Sequence, residues 1–211
     1  YNIKCRGYSM DISVESDFKK KISKILKEFV KIHGLINNAA NNPKIENSDQ
    51  SFSRLENFDL NMWNNDLNVG LRGSFLCIKY FGRVISQNTE GGSIINISSD
   101  LGIIAPDQRI YKNIGFIKPV TYSVVKHGVI GFSKYLATYL AEYNIRSNTL
   151  CPGGISNNQP KKFLNKIRKL IPLNRMAKIN DYDGIILYLC SDYSSYMTGS
   201  TIVCDGGRTS W

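Results

Sequence analysis

The sequence predicts a single α/β domain built on a doubly wound parallel sheet. Helical patterns alternate with short apolar strands along the chain, the mark of βαβ units. No internal repeat, low-complexity segment or linker divides the 211 residues. Strands joined through helices run parallel by right-handed crossovers.

The elements follow in order. Over residues 13–32, Val14, Phe18, Ile22, Ile25, Leu26, Phe29 and Val30 fall at helical spacing with lysines between them. Ser13 suits the N-cap and Gly34 the stop, with His33 at the helix end. "GLINN" reads as a buried strand, and residues 41–58 as a polar loop. A long helix is expected over 59–88, and "GGSIINIS" as a strand. Residues 100–118 are irregular. A helix over 121–143 follows Pro119, with Thr121 as a candidate N-cap. "NIRSNTLC" reads as a strand that "PGG" breaks. Shorter helices are expected over 158–171 and 181–191, the second with Asp181 and Asp183 at its positive end. "STIVCDGG" is the last strand.

Composition narrows the function. The chain is 42% apolar and 21% charged, ordinary for a globular domain. No run of 18 apolar residues occurs, so no membrane helix is expected. Cys5, Cys77, Cys151, Cys190 and Cys204 form no C-x-x-C pair. They read as buried thiols of a reducing, cytoplasmic compartment rather than disulfides or zinc ligands. Two histidines, His33 and His127, argue against a histidine triad or a metal centre. The net charge of +10 reads first as a lysine-rich solvated surface. It would also attract an anionic small-molecule substrate. No nucleic-acid-binding motif accompanies it.

In an open parallel sheet, ligands bind beyond the carboxyl ends of the strands. Those ends carry "NNAAN", Ser98 and Ser99, and Pro152-Gly153-Gly154. "TYSVVKHG" places Lys126 one turn after Tyr122, neighbours on a helix surface. A tyrosine hydroxyl ionises near pH 10. A cation beside it favours the phenolate and makes it a usable acid or base. With a serine nearby, the set suits proton transfer in a carbonyl/alcohol interconversion, a cofactor carrying the hydride.

These residues resemble the classical short-chain dehydrogenases/reductases over essentially the whole chain. "NNAA" at 37–40 is similar to the family's N-N-A-G, Asn68 in "DLNVGLRGSFL" to its helix asparagine, and Ser99 in "NISSDLG" to its serine. Tyr122 and Lys126 match Y-x-x-x-K, "CPGGI" the P-G turn, and "SSYMTGSTIVCDGG" the C-terminal strand. The resemblance implies a Rossmann-like domain over 1–211 and NAD or NADP as cofactor. It implies Tyr122 as general acid/base, Lys126 lowering its pKa and holding the nicotinamide ribose, Ser99 orienting the substrate oxygen, and Asn68 holding a relay water. Ser98 is the alternative serine. Asp11, with Ile12 beside it, would contact the adenine, although Asp11 also reads as a residue introducing a helix. Asn37 and Ala39 would line the adenosine side, Pro152 and Gly153 would touch the nicotinamide, and Ile155 would meet its carboxamide. The family commonly forms homotetramers or homodimers through the helices near 59–88 and 121–143.

Two departures stand out. The family's first β-α-β segment, with its glycine-rich turn, is absent from these 211 residues; a longer natural chain is the expectation, a true truncation the alternative. The stretch between Ser99 and Tyr122 is longer than in the common pattern. Its Arg109, Tyr111, Lys112 and Lys118 read either as loop bulk or as a wall for an anionic substrate. With the basic segment 156–172, "AANNPKIEN" and "PGGISNNQP", it is similar to reductases of bacterial surface-sugar and flagellin-modification pathways. A 3-oxoacyl-thioester reductase and a non-catalytic binding protein of the same fold are the alternatives.

Overall fold

Two adjacent isoleucines explain the layering. Ile94 and Ile95 are both fully buried, yet successive strand side chains point to opposite faces. Ile94 packs with Ile78, Ile85, Leu136, Leu140 and Ile145. Ile95 packs with Leu150 and Leu189 on the other face. Each such burial contributes about 1.5–3 kcal/mol, so one apolar strand holds helices on both its faces.

The computed structural model describes residues 3–41, 50–112 and 117–211. Four strands, β1 (Gly34–Asn37), β2 (Gly92–Ile97), β3 (Ile145–Pro152) and β4 (Thr201–Cys204), form one sheet in the order β1-β2-β3-β4. All pairings are parallel, with Asn37 opposite Asn96, Ile97 opposite Leu150 and Pro152 opposite Cys204. The carboxyl ends of all four strands therefore share one edge.

Helix α1 (Glu15–Glu28) is shorter than the 13–32 pattern. Its N-cap is Val14 rather than Ser13, and Phe29 is already extended. Val30 is 93% exposed, so the apolar spacing outruns the helix where β-branched Val30 and Ile32 disfavour it. His33 does not close this helix; it precedes β1 and meets Glu90 at 3.1 Å.

Helix α2 (residues 60–85) begins at Asp59, which accepts from the amides of Asn61 and Met62. Two π segments, Asn68–Arg72 and Ile78–Gly82, interrupt it. Helix α3 (Val120–Tyr139) starts after Pro119, one residue before the expected cap Thr121. Helices α4 (Lys161–Ile167) and α5 (Asp183–Cys190) are both trimmed relative to their patterns. Among the cysteines, Cys77 and Cys151 are buried, Cys204 is half-buried, and Cys5 and Cys190 are exposed. The expectation of uniform burial is thus corrected.

Candidate active site

The site forms where β2 ends and α3 begins. Ser98 and Ser99 leave β2 in opposite directions. Ser98 Oγ donates to the Lys126 carbonyl at 2.7 Å, which commits it to holding α3 against the strand end. A side chain at Gly102 would lie 2.8 Å from that same carbonyl, so glycine permits the close approach. Ser99 instead caps the short turn Asp100–Gly102, accepting from the Leu101 amide and donating to Asp100 Oδ1 at 2.8 Å. Of the two serines, Ser99 is the one whose hydroxyl acts on Tyr122.

Lys126 is 6% exposed. Its Nζ donates to the Ile97 carbonyl at 2.9 Å and lies 5.7 Å from the centre of the Tyr122 ring. Burial pushes the Lys126 ammonium down to about 8, with Cys151 acting in the opposite direction. Burial also pushes the Tyr122 hydroxyl up; Ser99 opposes this and Asp100 reinforces it. Desolvation penalises charge on both groups.

Asn68 sits at the start of the first π segment, where the Gly73 amide donates to the Asn68 carbonyl. Such bulges recur at functional sites. The contacts on either side hold this part of α2 against the first turn of α3. Asp66 accepts from Thr121 Oγ1 and from Asn41 Nδ2. A side chain at Gly70 would overlap Val125. A pocket lined by Ala40, Asn41, Asp66, Pro119, Thr121, Tyr122, Val125 and Lys126 lies between the loop after β1 and α3. Ser99, Tyr122 and Lys126 are thus brought together, with Asn68 on the helix packed against them.

The other sequence-derived residues are placed as follows. Asn37 donates to Asn96 Oδ1 at 2.8 Å, tying β1 to β2. Ala39 is exposed in the loop after β1. Asp11 accepts from the amide and hydroxyl of Ser13 in a local turn, and Ile12 packs in the Phe18 cluster. Pro152 ends β3, and the Gly153 amide donates to the Cys204 carbonyl. A side chain at Gly153 would lie 2.8 Å from Asp205 Cα. Ile155 forms an isolated parallel bridge with Ala177.

The described residues of the long loop are held as follows. Arg109 grips Asp107 through both Nε and Nη2, and its side chain is 89% exposed. Tyr111 is buried against Phe163, with ring centres 5.6 Å apart. The Lys112 carbonyl accepts from Lys166 Nζ. Residues 113–116 of this loop, and 42–47 of "AANNPKIEN", lie outside the described residues. Lys118 reaches the site: its Nζ lies 3.7 Å from the Tyr122 ring centre.

Sequence reasoning missed Asp66, Thr121 as its partner, and the ion pair from Arg208 to Asp100. Asp66 lies two positions before Asn68, and only the crossing of α2 with α3 reveals its role.

The model of a family described as enoyl-(acyl carrier protein) reductase matches residues 2–209. The chain belongs to the short-chain dehydrogenase/reductase family. Among its relatives is the post-translational flagellin modification protein A of Campylobacter coli, 32% identical over 94% of this chain and 75% of the relative. A 3-oxoacyl-[acyl-carrier-protein] reductase of Aquifex aeolicus is 32% identical over 98% of this chain and 77% of the relative. A short-chain dehydrogenase structure from Leptospira borgpetersenii with bound NAD+ aligns with a TM-score of 0.80 at 31% identity, covering 96% of this chain and 74% of that one. Short-chain dehydrogenases/reductases are NAD(P)-dependent oxidoreductases, as the names of further relatives reflect. The donor set at the strand ends, a buried ammonium, a phenol and a serine hydroxyl, fits the nicotinamide-ribose end of such a cofactor.

Proposed function

We propose that the chain interconverts a hydroxyl and a carbonyl with Tyr122, Lys126, Ser99 and Asn68 as its working residues. The observation that carries the reading is the meeting of Ser99, Tyr122 and Lys126 at the carboxyl edge of the sheet. NAD or NADP supplies the hydride in reduction and takes it in oxidation. Tyr122 donates its proton to the substrate oxygen as charge develops there, and takes it back in oxidation. Lys126 favours the resulting phenolate and holds the ribose hydroxyls. Ser99 orients the substrate oxygen. Asn68 holds a water that returns protons to Lys126. Asn37, Ala39, Asp11 and Ile12 line the adenosine side. Pro152, Gly153 and Ile155 face the nicotinamide.

The substrate we propose is a sugar or nucleotide-linked sugar of surface-glycan or flagellin modification. The likeness to the Campylobacter flagellin protein supports this, and Lys118 beside Tyr122 suits a substrate with an anionic group. Arg109, Tyr111 and Lys112 then shape the wall of the site through the loop they build. A second reading, a 3-oxoacyl-thioester reductase, is favoured by another relative and by the exposed Lys161, Lys162 and Lys169, which suit an acidic carrier. A panel of keto-sugar nucleotides and 3-oxoacyl thioesters, assayed with NADH and NADPH, separates the two. Turnover of neither class with either dinucleotide contradicts the proposal and favours a non-catalytic role.

The protein we propose is a cytoplasmic homotetramer or homodimer. Tyr135 and Tyr139 stack at 5.6 Å yet are 60% and 58% exposed. With Phe75 and Phe132 they line a groove between α2 and α3. Among the described residues, no helix is long and apolar enough to cross a membrane.

A further inference from the structure

Tyr182 is buried against the turn that follows β3. It ends the short turn Ile179–Tyr182 that leads into α5, and it is 5% exposed. Its hydroxyl donates to the Gly153 carbonyl at 3.0 Å. Burial pushes that hydroxyl above its ordinary range, and Cys204, Asp100, Asp181 and Asp205 act in the same direction. It therefore stays a donor near neutrality. Phenylalanine would bury the same ring, so the hydroxyl is the part that needs a reason.

The bond falls on the peptide between Gly153 and Gly154, which has a glycine on each side. A peptide unit is planar, so its carbonyl and amide exchange faces only when the ψ before it and the φ after it rotate together. Side chains restrict that rotation and glycines do not. Close packing demands both glycines here. A side chain at Gly153 would lie 2.8 Å from Asp205 Cα, and one at Gly154 would lie 2.9 Å from Met176 Cε. The peptides on either side are tied by the backbone. The Gly153 amide donates to the Cys204 carbonyl at 2.9 Å, and the Gly154 carbonyl accepts from the Ala177 amide at 3.0 Å. The peptide between them is the one that Tyr182 ties.

We propose that Tyr182 is a positioning residue for the dinucleotide: by holding the Gly153 carbonyl, it fixes which edge of the Gly153–Gly154 peptide faces the nicotinamide. This rests on the reading of Pro152, Gly153 and Ile155 as the nicotinamide side of the site. With the carbonyl turned to Tyr182, the Gly154 amide points the opposite way, because the peptide is trans. A peptide turned over would present an oxygen where that amide now points. Tyr182 lies 29 positions from Gly153, beyond the basic segment 156–172, so the segment that follows that stretch returns to brace the turn that precedes it.

The test compares the binding of NADH and NADPH with that of ADP-ribose, by isothermal titration calorimetry. ADP-ribose carries the adenosine and the pyrophosphate but no nicotinamide; 2′-phospho-ADP-ribose serves the same purpose beside NADPH. In Tyr182→Phe the affinity for the reduced dinucleotide should fall by about 3- to 10-fold, the worth of one hydrogen bond. The affinity for the ADP-ribose ligand should match wild type. Tyr182→Leu, checked for folding by thermal denaturation, should show the same split. An unchanged dinucleotide affinity in both variants overturns the inference. An equal loss for dinucleotide and ADP-ribose also overturns it, because Tyr182 would then support only the fold. Binding of neither ligand to the wild-type chain refutes the dinucleotide reading itself and takes the inference with it, an outcome distinct from the other two.

Discussion

Arg208 donates to Asp100 across 2.6 Å, with side chains only 7% and 3% exposed. The pair joins the segment after β4 to the turn that carries Ser99. Asp100 accepts from the Ser99 hydroxyl on one oxygen and from the Arg208 guanidinium on the other. The orientation of the Ser99 hydroxyl is therefore set from the far end of the chain.

Breaking a buried pair strands a charge, which costs about 3–5 kcal/mol. Arg208→Met should lose about that much stability in urea denaturation. Adding Asp100→Asn should recover a large part of it, because the remaining carboxamide carries no charge. A double variant no more stable than Arg208→Met would show that the pair is not the source of the loss.

The crossing of α2 and α3 depends on Gly70. A Cβ there would meet Val125 Cγ1 at 2.3 Å, and valine has little rotamer freedom in a helix. Overpacking of this kind costs about 1–3 kcal/mol. Gly70→Ala should lower thermal stability accordingly and reduce kcat, since Asn68 rides on the same turn. Val125→Ala in the same chain should restore both.

Lys126 is buried at a cost in stability. Its folded-state pKa of about 8 lies below the usual 10.5. Below pH 8 the folded chain bears the full cost of a buried charge. As pH rises from about 8 to 10.5 the folded state sheds that proton before the unfolded state does, so stability rises across this window. Lys126→Met should lose this share of the rise. Relative to wild type it should be more stable at pH 7 than at pH 10.5, while turnover falls by on the order of 100-fold. A wild-type chain that loses stability, relative to Lys126→Met, between pH 8 and 10.5 would reverse the sign.

What the sequence made legible was local or repeated. Tyr122 and Lys126 are four positions apart, and helical geometry alone makes them neighbours. The apolar run "SIINI" announces a strand buried on both faces, and Ile94 and Ile95 occupy the two faces. The pairing of Asp100 with Arg208 spans 108 positions and leaves no local trace. Arg109 and Lys118 share a loop and a charge. Nothing in their types tells which one reaches Tyr122; Asp107, two residues from Arg109, decides it by taking the guanidinium. The π segments of α2 were hidden because one extra residue in a turn hardly alters an apolar pattern. Helix ends failed where β-branched residues continued the spacing beyond Glu28.

The central claim is that the Tyr122 hydroxyl moves the proton. The direct measurement is single-turnover hydride transfer with Tyr122→Phe, alongside dinucleotide binding by the same variant. The account predicts a rate lower by at least about 100-fold with dinucleotide affinity close to wild type. Hydride transfer at a near-wild-type rate would contradict it.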